Sequence, residues 1–303
     1  MKIKASFTQM NYNSEGGRTM EKSKEILYRG ISRRFSEFPL TVSAMRKNEI
    51  IYLENSYKEA YGDDSYLEFK GKIESLPQSS IKFFSSVNTD CIWAFFLSMI
   101  HMLLVSKKYP SIIADIQYPH MFISLFENAV GQDEQHLPIY AFKCVTDIFA
   151  PDNDFDSCAK SYSTVSSMVY AYQYFQHINF NYRTENMNYN PFPTMVMDWT
   201  ESFDIATQFA ASSKDDGIIV AINYAKYKRM IHDDWFSILM MTDIAGCAPG
   251  LTPYFDCNFF VAAKNYNMQT QKGATLFWPW KYTVRDLLSN ELGQRIGFTV
   301  VKE

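Results

Sequence analysis

The side chains with the widest chemical reach fall at three separated places: Arg29, then Asp198 with Thr200, Glu201 and Ser202, then Gln271 close behind Gln269. A guanidinium grips a phosphate or carboxylate through two parallel charge-assisted hydrogen bonds, hydroxyls donate and accept, and an amide does both without carrying charge. These types suit recognition of a polar small molecule better than any particular bond-breaking step. Other chemistries lack their signatures. His101, His120, His136, His177 and His232 show no close pair at ligand spacing, so no metal centre is expected. The 12 glycines are scattered, with neither a phosphate-cradling loop nor a Gly-x-Ser-x-Gly elbow. Each named residue also has a purely structural role open to it. Arg29 and Asp198 can form a buried ion pair that stitches two halves of the fold together, Thr200 and Ser202 can cap a helix, and Gln271-Lys272-Gly273 can be an ordinary turn.

The elements that must position these residues follow from periodicity. Glu25 to Gly30 alternates as a short strand, which puts Arg29 and Leu27 on one face. Thr194 to Met197 reads as a second short strand, Asp198 to Ser202 as a turn, and Phe203 to Ala211 as an amphipathic helix that Asp198 or Thr200 can cap. Asp215-Asp216-Gly217 then turns into a strand over Ile218 to Asn223. Late strands are expected at Thr275 to Trp280 and Ile296 to Val301. Helical spacing covers Leu40 to about Phe69 and Ser161 to His177, and Cys91 to Lys107 is apolar nearly all round, as a buried helix is. Ile112 to Phe149 carries mixed signals. Asn179 to Pro193 and Trp235 to Phe260 read as irregular, and residues 1–24 as an arm or loose edge element.

At 303 residues, 47% of them hydrophobic and 20% charged, the chain can bury a substantial core, and no repeat or low-complexity tract divides it, so one domain over 1–303 is expected. The net charge of -4 and the lack of a basic block longer than two residues disfavour nucleic acid as a partner. Five cysteines without a two-residue spacing read as free thiols in a reducing cytosol, so a cytoplasmic setting is expected. The N-terminus lacks the apolar run of a signal peptide. Cys91 to Val105 falls short of the roughly 20 residues a membrane span needs, so no membrane partner is expected.

Several segments in one order resemble the FRG-domain family. Leu27-Tyr28-Arg29-Gly30 looks like its opening strand motif, and Leu40 to Arg46 is similar to the segment after it. Pro193 to Ser202, followed by Ala206 and Phe209-Ala210, resembles the central motif, and Gln271-Lys272-Gly273 with Phe277 the last. Together they bracket a core of about 25–280. The sequence departs from the family pattern at Met195, where an arginine is usual, at Asn267, where another is expected, and in lacking a Gln-His-x-Gly directly before the central motif. A more distant resemblance is to ADP-ribosyltransferases with an Arg–Ser–Glu layout.

These resemblances imply an α+β fold with a mixed, split β-sheet packed with helices around an ADP-ribosyltransferase-like core. They imply a nucleotide cleft with NAD as ligand, bound by Tyr28, Arg29, Gly30, Asp198, Thr200, Ser202 and Gln271. Arg29 would hold a dinucleotide phosphate, and Thr200 and Ser202 would sit beside the nicotinamide ribose. Transferases of this layout carry a late glutamate, where this chain reads Gln269-Thr270-Gln271; a neutral amide cannot supply the charge that stabilises a cationic sugar. Gln271 and Glu201 are therefore the candidate catalytic residues, with Glu291 a further source of a carboxylate. Two other readings stay open: an interaction protein that meets a protein partner through its Tyr-rich loops, and a toxin or defence effector.

Overall fold

The alternation at the start of the chain becomes a strand, Ile26–Ile31 (β1), with Leu27 and Ile31 buried and Ile26 exposed. After it, the computed structural model shows β2 (Pro39–Leu40), a 3-10 turn (Ser43–Met45), α1 (Lys47–Glu74), α2 (Thr89–Lys108), a second 3-10 turn (Glu134–His136) and α3 (Leu137–Phe149). The later half contains β3 (Val196–Thr200), α4 (Phe203–Ala210), β4 (Ile218–Asn223), β5 (Tyr254–Phe255), β6 (Gly273–Phe277), β7 (Tyr282–Thr283), α5 (Val284–Ser289), α6 (Glu291–Ile296) and β8 (Thr299–Lys302). The structure describes residues 26–31, 39–76, 87–108, 134–149, 172, 192–211, 217–227, 229–230, 254–255 and 271–302. The arm at 1–24, most of the helix expected at Ser161 to His177, the loop from Asn179 and most of the Trp235 to Phe260 stretch lie outside them.

The fold is α+β. Five strands form an open sheet in the order β6-β3-β1-β4-β8, and the two-residue β5 extends it beyond β6. Every pairing in it is antiparallel, where the sequence reading expects a mixed sheet. The pairings are far from equal. β1 matches β4 over six consecutive positions and β3 matches β6 over five, whereas β1 and β3 meet only at Tyr28↔Thr200. A seam therefore runs down the middle of the sheet.

The two faces of the sheet are covered differently. Leu27, Ile31, Val220, Ile222 and Trp199 belong to the main core, which the helices fill from one side; Phe95 of α2 meets Phe277 of β6 edge-on at 5.8 Å. On the opposite face α4 presses Ala206 and Ala210 toward Tyr28 and Ile219. Glycine permits that approach, since a Cβ on Gly30 would stand 1.9 Å from the Ala206 carbonyl oxygen.

α2 is apolar nearly all round because it is enclosed nearly all round. Thr89–Lys107 is long and apolar enough to cross a membrane, and 78% of that window is buried within the fold. The Asn88 side chain accepts from the Cys91 amide at 3.0 Å, and Asp90 suits the positive end of the helix. α1 is broken at Gly62, whose φ of 82° and ψ of 167° leave helical space. Tyr66 nevertheless hydrogen-bonds Glu54 at 2.7 Å, so the halves on either side of Gly62 fold back on each other.

Several boundaries differ from the sequence reading. β3 continues through Thr200, so Asp198 and Thr200 are strand residues and neither caps α4. Ile296 ends a short helix rather than opening a strand, and β6 runs over Gly273–Phe277 rather than Thr275 to Trp280. α3 arises where the sequence signals are mixed.

Candidate functional site

The three separated motifs become neighbours. Tyr28 pairs with Thr200 across the seam and Thr200 pairs with Gly273 on its other side, so one cross-strand row joins the first, central and last motifs. Residues directly opposite in a sheet share a face. Tyr28, Asp198, Thr200 and Thr275 accordingly lie on the α4 side, and Arg29 lies on the helical-core side together with Trp199.

Thr200 is 3% exposed and its hydroxyl is fully engaged. It donates to the Gln271 carbonyl at 2.6 Å and accepts from the Ser202 amide at 3.1 Å. One residue on, the Glu201 amide donates to the Lys272 carbonyl at 2.9 Å. Lys272 adopts φ 46°, a left-handed conformation that side-chain-bearing residues occupy uncommonly and that recurs near functional sites. The end of β3 and the turn into β6 are thus knotted through main chain and hydroxyl together.

Ser202 caps α4, its Oγ accepting from the Ile205 amide at 3.4 Å, with Asp204 in the first turn. Next to it the half-buried Tyr28 ring meets Phe203 edge-on at 5.7 Å. Phe203 is 37% exposed and Phe209 44%, so α4 presents aromatic surface outward.

Arg29 does not form the ion pair that its type and that of Asp198 suggest. Its Nη1 donates to the Asp198 backbone carbonyl, while the Asp198 carboxylate accepts from the Thr275 hydroxyl at 3.1 Å. The reason is geometric: by register the Asp198 side chain points to the face of the sheet opposite Arg29. Burial lowers the Arg29 pKa from its ordinary value; the Asp198 charge opposes that shift and the Arg46 charge adds to it.

The structure therefore joins Thr200 to Gln271, Ser202 to α4 and Arg29 to Asp198, and places Gly30 under α4. It does not bring the Arg29 guanidinium and the Thr200 hydroxyl onto one face. Sequence reasoning missed Thr275 and Lys272, whose roles come from strand register and a turn conformation that no local pattern announces. Glu291 stands in the first turn of α6, exposed and away from this row. Among the described residues no three His, Cys, Asp or Glu side chains gather as a metal site.

No family model matches the chain, and neither a curated protein nor a solved structure matches it.

Proposed function

We propose that this chain is an FRG-type domain that binds an NAD-like nucleotide at the seam between β1 and β3, on a core of the ADP-ribosyltransferase kind. The observation that carries the reading is the cross-strand row Tyr28–Thr200–Gly273, which collects three motifs distant in sequence in the order the resemblance implies. A guanidinium that donates to a neutral carbonyl suits a phosphate.

The reading is one of binding first. Transfer of ADP-ribose needs negative charge beside the sugar, and Gln271 supplies an amide. Glu201, partly buried at the end of β3, is the carboxylate closest in sequence to the row. Binding of NAD with slow release of nicotinamide is the expected behaviour.

Calorimetric titration with NAD tests this. Heat of binding in the wild type, reduced in Arg29→Lys with the fold retained, supports the reading; no heat in the wild type removes it.

A second reading has its own observation: the donors of Arg29 and Thr200 are both directed at backbone carbonyls, as in a structural stitch. On that reading the chain is a non-catalytic interaction protein. Thr200→Val and Arg29→Lys would then lower stability while the wild type ignores NAD.

A further inference from the structure

The sheet is stitched unevenly, and the elements around it divide along the same line. β1 is bound to β4 over six consecutive positions and β3 to β6 over five, yet β1 and β3 share the single pair Tyr28↔Thr200. α4 sides with the first group. Its Ala206 and Ala210 pack with Tyr28, Ile219 and Val301, and its backbone closes on two glycines: a Cβ on Gly30 would meet the Ala206 carbonyl, and one on Gly217 would stand 2.1 Å from the Ala210 carbonyl oxygen. β3 sides with the second group, since its end is held to the turn into β6 through the Thr200 hydroxyl and the Glu201 amide.

The direction of the hydrogen bonds along β3 shows what crosses between the groups. The Glu201 amide donates to the Lys272 carbonyl and the Met195 carbonyl accepts from the Trp278 amide, both on the β6 side. Main-chain groups of an antiparallel strand alternate sides, so Met197 and Trp199 also face β6, whereas Asp198 and Thr200 face β1. Thr200 and Tyr28 are therefore a hydrogen-bonded pair, and by the same alternation Leu27 faces β4. Beside that pair the Arg29 guanidinium reaches across and donates to the Asp198 carbonyl.

One main-chain pair and one side-chain bond thus hold β1 to β3, and the chain itself crosses through Glu201 and Ser202 into α4. Separating the strands at these two attachments leaves both ladders whole. It also leaves the helical core in place, because Leu27, Ile31, Val196 and Trp199 pack in one cluster beneath both halves. Proteins open locally where few buried contacts and few hydrogen bonds resist, at less cost than unfolding as a whole.

We infer that the seam is a gate: α4 with β1, β4 and β8 parts as a unit from β3 and β6, and the bond from Arg29 to the Asp198 carbonyl is its latch. The gate accounts for how a closed row is reached. Thr200 is 3% exposed and its hydroxyl is engaged both as donor and as acceptor, so a molecule meets it only when the halves separate. The inference rests on the nucleotide reading only in taking the gate as the way in for a nucleotide; the gate itself rests on how the sheet is bonded.

Residue-resolved amide exchange on the full chain under native conditions tests the gate. The Tyr28 and Thr200 amides should show one shared protection, about a hundredfold below that of the Leu27 and Trp199 amides, which sit in the two ladders. Arg29→Met removes the latch donor and should lower the protection of Tyr28 and Thr200 about tenfold further relative to Leu27 and Trp199, and Arg29→Lys, which keeps a donor, should lower it less. A general loss of stability would instead speed all four amides alike. Tyr28 and Thr200 as protected as Leu27 and Trp199, or unmoved relative to them by Arg29→Met, overturns the gate. Adding NAD separates the two ideas. Slower exchange at Tyr28 and Thr200 supports the gate as the nucleotide's entry. Exchange as described while NAD gives no heat of binding keeps the gate and ends the nucleotide reading. NAD that binds and leaves both seam amides unchanged keeps the nucleotide reading and ends the gate as its entry.

Discussion

The Tyr66 phenol donates to a Glu54 carboxylate oxygen at 2.7 Å although the two residues are twelve apart in one helical run. A straight α-helix would separate them by about 18 Å. The Trp93 indole N–H of α2 donates to the same oxygen at 3.1 Å, and Lys70 comes within 3.9 Å of it, so Glu54 ties both limbs of α1 to its neighbour. Only the backbone of Gly62 makes this possible.

Gly62→Ala is accordingly expected to destabilise by about 1–3 kcal/mol through backbone strain alone, since nothing lies within 4 Å of where the new Cβ would stand. Gly71→Ala, in the exposed helical part of the second limb, should stabilise by about 0.5–1 kcal/mol. Urea midpoints of the two variants check this; equal effects would mean that the fold-back at Gly62 is wrong.

Gly30 is constrained by space rather than by dihedral angle. A methyl group there would run into the Ala206 carbonyl and the Ala210 amide, both backbone atoms of α4 that cannot step aside singly. Gly30→Ala should cost about 1–3 kcal/mol or more and loosen α4 from β1, measurable as faster amide exchange in Phe203–Ala210.

Where the sequence carried strong local pattern, the fold could be read from it. Ile218–Asn223 is a strand exactly where its β-branched run predicts, and α2 differs from its predicted span by only two residues at one end and one at the other. The short helices α5 and α6 escape periodicity, because six residues make too few turns. They are specified instead by Thr283, in a capping box with Asp286, and by Asn290. Asp198-Trp199-Thr200 reads as a turn because two of its three residues are polar. Their partners, Thr275 and the Gln271 carbonyl, come from the far end of the chain and are invisible to a local window. Arg29 could be singled out by type and position, yet the acceptor it uses is a backbone atom, which no side-chain pattern encodes.

Alkaline pH should reveal how tightly the α1 hairpin is closed. Burial is the main cause that pushes the phenols of Tyr57 and Tyr66 up to about 12, and the Glu54 carboxylate adds to it at Tyr66. In the unfolded chain these groups ionise near about 10. The folded values are higher, so the unfolded state gives up its protons first as pH rises. The stabilisation is whole below about 10 and is lost as pH climbs through about 12. Urea midpoints should fall across that window in step with tyrosinate absorbance, and more shallowly in Tyr57→Phe. A flat midpoint would show the phenols to be open to water.

The knot at the end of β3 gives the sharpest test of how the motifs hold together. Valine at position 200 keeps the shape of threonine and removes its hydroxyl, leaving the Gln271 carbonyl without a donor and the Ser202 amide without an acceptor. Thr200→Val should therefore cost about 1–3 kcal/mol, with an unchanged denaturant slope because the surface exposed on unfolding is the same. Thr200→Ser retains the hydroxyl and should recover most of that loss. Ser202→Ala, which removes only the cap of α4, should cost about 1 kcal/mol. Were Thr200→Val as stable as the wild type, the hydroxyl would not be what joins the central motif to the last, and the row Tyr28–Thr200–Gly273 would rest on main-chain pairing alone.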